Sequence, residues 1–387
     1  MFRNQERPMQ ARELYLNHAG TSWPKPPVVS DAVRDAMAAS PNQWPERFDE
    51  AHRGIAKFFG VQRPEQILLT PGCTSALAVG IGDALITSDK RVLTSRWEHH
   101  AVHRPLLKLA STGVAVQYIP TEQSKQTPGH HRSLDLNWLE QTLAKGDVAL
   151  VAITAACNVT GELLPYQDVI RIAHQYGSMV LLDAAQIAGW MKLDLPRLGA
   201  DMVAFGGHKG LQAPWGIGGL YFSDRAQMEC TSASCELPSI NATKASPRPG
   251  YCDVGSVDQC ALAGLHAAIE MLRQQDIETH LSNARDQIQR LRTSLQRIDR
   301  LDIFGPATPS QGMPSLAFSV ADVSSSELAS RLKRQGITVG SGLQCAPLAH
   351  QTLGTESSGL VRLSVGIGQP DEEIDNAIDR LLAALQP

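Results

Sequence analysis

Several residues in this chain are of types that could do chemistry together. In FGGHKG (205–210), His208 precedes Lys209, whose amine can form an imine with a carbonyl compound. In VGSGLQCAPLAH (339–350), Cys345 sits in a loop of glycines and small residues, where the backbone can bend or move. Other candidates are Cys73-Thr74-Ser75 at the start of a helix-like run, Glu98-His99-His100 with His103 following, Asn158, and Asp183 with Gln186 three residues on. Each has a plain structural reading. A free cysteine is commonly a small buried hydrophobe. Asp183 reads as a cap, Lys209 as a solvated charge, and Thr74 and Ser75 as helix N-caps. His99 and His103 at i, i+4 spacing could bind a metal, but no adjacent carboxylate motif completes a set.

These residues need elements to hold them, and the apolar pattern supplies such elements. Short apolar runs at 66–70, 91–95, 114–119, 148–154, 179–183, 202–206 and 218–222 read as strands. Helix-length segments lie between them at 74–85, 101–111 and 165–177. Continuous apolar strands joined by helical crossovers indicate an α/β, mostly parallel open sheet covered on both faces. Residues 223–256, rich in Ser, Thr, Cys and Pro, read as a long surface excursion. Two long helices follow, then the strands LDIFG, SLAFSV and LVRLSV with further helices. The expectation is a large domain over 14–264 and a smaller α/β domain over 265–387, with residues 1–13 packing on the latter.

Composition narrows the function. A formal charge of −4 without a long basic run leaves no footprint for nucleic acid or an anionic membrane surface. No apolar run approaches the roughly 18 residues of a membrane span, and the polar N-terminus lacks a signal-peptide core. A cytoplasmic location is expected. The seven cysteines are odd in number and contain no CxxC, so a disulfide framework is not expected. Cys230, Cys235, Cys252 and Cys260 are too irregularly spaced for a zinc set.

In open α/β sheets, ligands gather at the carboxyl ends of the strands. Reading the residue after each strand collects a helix N-terminus suited to phosphate at 71–75, the His99 imidazole, Asn158, Asp183, and the His208–Lys209 pair. This set meets the needs of pyridoxal phosphate. A lysine holds its aldehyde, a carboxylate keeps its pyridine nitrogen protonated, an aromatic ring stacks on it, and a cradle anchors its phosphate.

The segments LYLNHAGTSWPKPPVV, TPGCTSALAVG, EHHAV, NVTGELLP, LLDAAQIAGW, FGGHKGLQAPWGIGGLYF, GSVDQCALAGL, LQCAPLAHQTLGT and GLVRLSVGIGQPDEEID resemble, in collinear order, the cysteine desulfurase family. That family belongs to the fold-type I, class V aminotransferase-like enzymes that use pyridoxal phosphate. The resemblance implies that Lys209 forms the Schiff base, Asp183 pairs with the ring nitrogen, His99 stacks on the ring and moves protons, and Gln186 contacts the ring hydroxyl. It implies phosphate contacts from Thr74, His208 and the backbone at Cys73, with Ser256 reaching the neighbouring subunit's phosphate. Asn158 and Arg362 would hold the substrate carboxylate. Cys345 would receive sulfur as a persulfide while L-cysteine becomes L-alanine.

A homodimer with shared active sites and a sulfur-acceptor protein are further implications. Selenocysteine, cystine or another class V substrate remains open, as does a pyridoxal-phosphate-binding partner protein without turnover. The chain departs from the family pattern at Gly340 and Gln344, where arginine and histidine are usual. It departs again at Gly206, Ser256 and Asp258, and in the segment ASPNQWPERFDEAHRG.

Overall fold

The computed structural model describes residues 13–84, 86–87, 89–123, 132–226, 257–306 and 308–385. Its centre is a seven-stranded sheet in the order Ile67–Thr70, Gly218–Phe222, Met202–Gly206, Met179–Asp183, Val148–Thr154, Arg91–Thr94, Ala115–Tyr118. Gly218–Phe222 runs antiparallel to both of its neighbours. The remaining pairings are parallel. Strand residues alternate between two apolar layers: Val180 and Leu182 face one, Met179 and Leu181 the other. Burial on both faces explains why these strands read as unbroken apolar runs.

Each expected strand and helix of the sheet region forms, with shifts at the ends. The helix read at 74–85 spans Cys73–Gly82, and the second long helix begins at Ile277, where Asp276 accepts from the Thr279 N–H and caps it. Gly218 lets the antiparallel strand approach the helix entry closely, because a Cβ there would stand 2.8 Å from Gly72 Cα. Ser256 and most of the 223–256 excursion, with Cys230, Cys235 and Cys252, lie outside the described residues.

Beyond the helix Gln259–Arg273, a three-stranded antiparallel sheet pairs Leu301–Phe304, Ser315–Val320 and Val361–Ser364. A short parallel pair, Leu14–Leu16 with Ile337–Val339, brings the N-terminal segment to the last third of the chain. This pairing has no strong local signal and matters for the site, because it places Asn17 beside Arg362. The unusual segment at 39–54 forms most of the helix Trp44–Phe58. That helix buries Phe48, Ala51, Ile55 and Ala56 and packs on Gln259–Arg273.

Candidate active site

A cavity of about 530 Å³ opens at the carboxyl ends of the parallel strands. It is lined by Cys73, Thr74, His99, Asn158, Asp183, Gln186, His208, Lys209, Cys345 and Arg362 together. Every site residue expected from the sequence lies here except Ser256, which falls outside the described residues. Asn17, Gly340 and Gln344 join them.

The floor is built from strand ends. Asp183 is 4% exposed and accepts from the Ala185 N–H at 2.9 Å and from the Cys73 thiol at 3.4 Å. Both bonds use Oδ1, which leaves Oδ2 for a ring nitrogen. Burial pushes the Asp183 carboxyl above its ordinary range, opposed by the Ala185 N–H, the Lys209 charge and the Cys73 bond. Burial also lowers Lys209, against the pull of Asp183 and Cys73. An amine so placed gives up its proton more readily than a solvated lysine, as a base and imine former requires.

His99 ends the strand-to-helix turn and accepts the Ala101 N–H on Nδ1 at 3.0 Å, capping the helix His100–Ala110. Its Nδ1 is thereby an acceptor, and the proton of the neutral ring sits on Nε2. Burial, then the Lys209 charge, lowers His99 to about 4, so the ring is neutral at pH 7. His103 turns instead to the Tyr118 hydroxyl at 3.2 Å.

At the opposite end, the helix Cys73–Gly82 begins without a side-chain cap, so its first N–H groups remain available to an anion. His208 is lowered to about 4 by burial and by the Lys209 and Lys25 charges, and its buried Nδ1 has no partner. A Cβ on Gly206 would stand 3.3 Å from Cys73 Cβ, so Cys73 crowds the place where the family keeps a hydroxyl. An uncapped helix entry, an orphaned imidazole nitrogen, a buried carboxylate and a buried amine fit pyridoxal phosphate end to end.

The side of the cavity around Arg362 is built differently. Arg362 is 4% exposed, donates Nη1 to the Asn158 carbonyl at 2.5 Å and Nη2 to Asn17 Oδ1 at 2.8 Å, and leaves Nε buried without a partner. No carboxylate pairs with it among the described residues. Burial lowers Arg362 to about 10. A Cβ on Gly340 would stand 3.2 Å from Nη2 and 3.3 Å from Nε. The bare glycine therefore leaves that edge of the guanidinium open.

The Cys345 loop is held in this structure by bonds to distant segments. The His100 N–H donates to the Cys345 carbonyl at 2.7 Å, and Asn158 Nδ2 donates to the Gln344 carbonyl at 2.8 Å. Gln344 Nε2 donates to the Leu360 carbonyl at 2.7 Å, and Gly340 exchanges backbone bonds with Arg362. Gln344 and Cys345 both adopt left-handed backbone angles, φ 42° and 60°. Non-glycine residues hold such angles only where their surroundings impose them. Cys345 is exposed and lines the same cavity as Lys209 and Arg362.

Sequence reasoning missed Asn17 and Lys25. Lys25 Nζ donates to the His208 carbonyl at 2.9 Å, as do Ser22 and Thr21, and so steadies the turn that carries Lys209. Both residues lie in the quoted LYLNHAGTSWPKPPVV, but nothing local marks what they touch.

The aminotransferase class-V family model matches residues 14–377. A probable cysteine desulfurase of Vibrio cholerae is 30% identical, with 96% of this chain and 92% of that protein aligned. The apo structure of a cysteine desulfurase from Thermococcus onnurineus superposes with a TM-score of 0.85 at 22% identity, covering 96% of this chain and 94% of that one. A C-DES mutant with glycine covalently linked to its PLP cofactor superposes at 0.78 with 19% identity, covering 96% of each chain. The last two likenesses concern the fold.

Proposed function

The chain belongs to the aminotransferase class-V family, and from that premise we propose that it is a pyridoxal-phosphate-dependent cysteine desulfurase, converting L-cysteine to L-alanine with sulfur passing to Cys345. The carrying observation is a buried arginine that has no carboxylate partner among the described residues and opens on the cavity that holds Lys209 and Cys345. A buried guanidinium in that state calls for an anionic partner, and the carboxylate of an amino acid is of the right size and charge.

Pyridoxal phosphate, when bound, supplies an aldehyde that takes up amines and a ring that withdraws electrons from the bond being broken. Lys209 would hold it, Asp183 Oδ2 would face its ring nitrogen, and His99 would lie on its ring. Gln186 would meet its ring hydroxyl, and Thr74, His208 and the Cys73 backbone its phosphate. The Lys209 amine, lowered by burial, takes and returns the substrate Cα proton. Arg362 and Asn158 orient the substrate carboxylate, which turns the substrate sulfur toward Cys345. The Cys345 sulfur attacks the substrate sulfur: the S–S bond of a persulfide forms as the Cβ–S bond breaks, its electron pair stays with Cβ, and protonation there gives the methyl group of alanine. Being exposed, Cys345 can then pass the sulfur to an acceptor protein.

A homodimer is part of this reading. Cys345 also borders a groove of about 980 Å³ with an apolar floor of Ala78, Val79, Ile81, Pro105 and Leu109, which a second copy would cover. Its test is sedimentation of the purified holoenzyme. The two units over 14–264 and 265–387 and a cytoplasmic location belong to the same reading. Among the described residues, no helix is long and apolar enough to cross a membrane.

The deciding experiment measures the visible absorbance of bound cofactor, then alanine and sulfide formed from L-cysteine, in wild type and Cys345→Ala. Alanine formation that survives Cys345→Ala points to a lyase instead. Absence of the cofactor band removes the assignment altogether.

A further inference from the structure

Glu98 is buried next to His99, which lines the cavity, and has no part in the chemistry above. It follows the strand Arg91–Thr94, whose neighbour Val148–Thr154 pairs Thr154 with Asp183 on the next strand. Its side chain therefore sits where three strand ends meet, and it is 1% exposed. The Ser95 hydroxyl donates to Glu98 Oε1 at 2.6 Å and accepts the Trp97 N–H at 3.0 Å, closing the turn that ends in His99. Ser95 and Trp97 are both fully buried. Glu98 Oε2 is buried without a hydrogen-bond partner. Besides the Ser95 hydroxyl, backbone at Thr154 and Ser95 bonds toward the carboxyl, and the one charge acting on it is that of the Asp183 carboxylate. No cation stands among them.

An ionised carboxylate buried with an unpartnered oxygen and an anion as neighbour has little to hold its charge. We propose that Glu98 is a positioning residue that works as a neutral carboxylic acid, bracing the Ser95–His99 turn and leaving the negative charge at the cofactor floor to Asp183. The inference rests on the cofactor-site reading above. Burial raises Glu98 to about 8, against the Ser95 hydroxyl and the Thr154 backbone, while Asp183 pushes in the same direction as burial. A carboxyl raised in the folded chain binds a proton that the unfolded chain has already released. Stability from this group is therefore present below the unfolded value of 4.5 and is lost as pH rises toward about 8.

The test compares wild type, Glu98→Gln and Glu98→Ala by denaturant unfolding from pH 5 to 9, as purified with cofactor and after its removal. Glutamine keeps the shape of a neutral acid but cannot ionise. The folding constant of Glu98→Gln relative to wild type should rise with pH between 5 and 8, by up to about tenfold per unit. A ratio that stays flat across that range overturns the neutral-acid role. The brace is read separately from the affinity for pyridoxal phosphate. Glu98→Ala should bind it about tenfold more weakly than wild type, and Glu98→Gln within about threefold of wild type, the span of a lost hydrogen bond. Should Glu98→Ala fail to fold, Ser95→Ala removes both the donor to Glu98 Oε1 and the acceptor of the Trp97 N–H, and should weaken binding about threefold or more. Wild-type affinity in the alanine variant that folds overturns the brace. The slope in the cofactor-free chain does not depend on desulfuration. A wild type that binds no cofactor would instead sink the proposed function.

Discussion

The two halves of the cavity are made in different ways. The cofactor floor hangs on ends of neighbouring parallel strands and the turns after them, so Asp183, His99 and Lys209 come together as soon as the sheet forms. The substrate side is assembled by long-range bonds. Arg362 is tied to Asn17 across 345 residues and to Asn158 across 204, and the thiol loop is tied to Asn158 across 186. The floor needs little beyond the sheet. The substrate side needs the N-terminal segment, the large sheet and the last sheet to be in place together, and it holds Gln344 and Cys345 at backbone angles they would not adopt alone.

This contrast can be broken most sharply by paired substitutions. Lys209→Ala should abolish covalent cofactor attachment and reduce desulfuration by at least about a thousandfold, the scale expected when a base and covalent anchor are lost. Cys345→Ala should lose sulfur transfer to a comparable degree while leaving the cofactor absorbance and affinity as in wild type. If Cys345→Ala disturbs the cofactor spectrum as much as Lys209→Ala does, the two halves are not separable.

Arg362→Lys should leave cofactor binding intact and lower kcat/KM for L-cysteine, mainly through KM. Losing a buried fork to a carboxylate costs about 2–5 kcal/mol, or roughly 30-fold or more. Asn17→Ala, which removes only the Nη2 support, should cost about tenfold in kcat/KM, since a bond to a charged group is worth about 1.5–3 kcal/mol. An unchanged kcat/KM in Asn17→Ala would show that Arg362 does not need its long-range tether.

A last effect on the cofactor side is an acid one, read in stability rather than in activity. His99 and His208 are each lowered from 6.5 to about 4 by burial. The unfolded chain takes up protons between those values that the folded chain refuses, so stability should fall as pH drops from 6.5 toward 4. His99→Gln should flatten part of that slope in a denaturant titration, whereas Cys345→Ala should leave it unchanged.

The floor was legible because its signals are local. Apolar runs of strand length mark the sheet, and the residue after each run must sit at the ligand-binding edge. Asp183, His99 and Lys209 are found by that rule without knowledge of any partner. From its residues alone the thiol loop was legible only as composition, and the role of Cys345 came from the resemblance of LQCAPLAHQTLGT to the family. Its glycines suggested bending, and they say nothing of the bonds from the Gln344 side chain and the Asn158 amide that meet the loop in the fold. Gly340, where the resemblance leads one to expect an arginine, reads in the sequence as a simple loss. Its missing Cβ instead leaves the Nε–Nη2 edge of Arg362 uncovered.

The sequence by itself determined the α/β layering, the order of strands and crossovers, and the residues presented at the strand ends, because period and residue type act over a few positions. Only the tertiary structure decided that Asn17 would hold Arg362, that Cys73 would bond to Asp183, and that Glu98 would be buried with Asp183 for a neighbour. Those outcomes depend on burial and on contacts between distant segments. Neither is a property of any short stretch of chain.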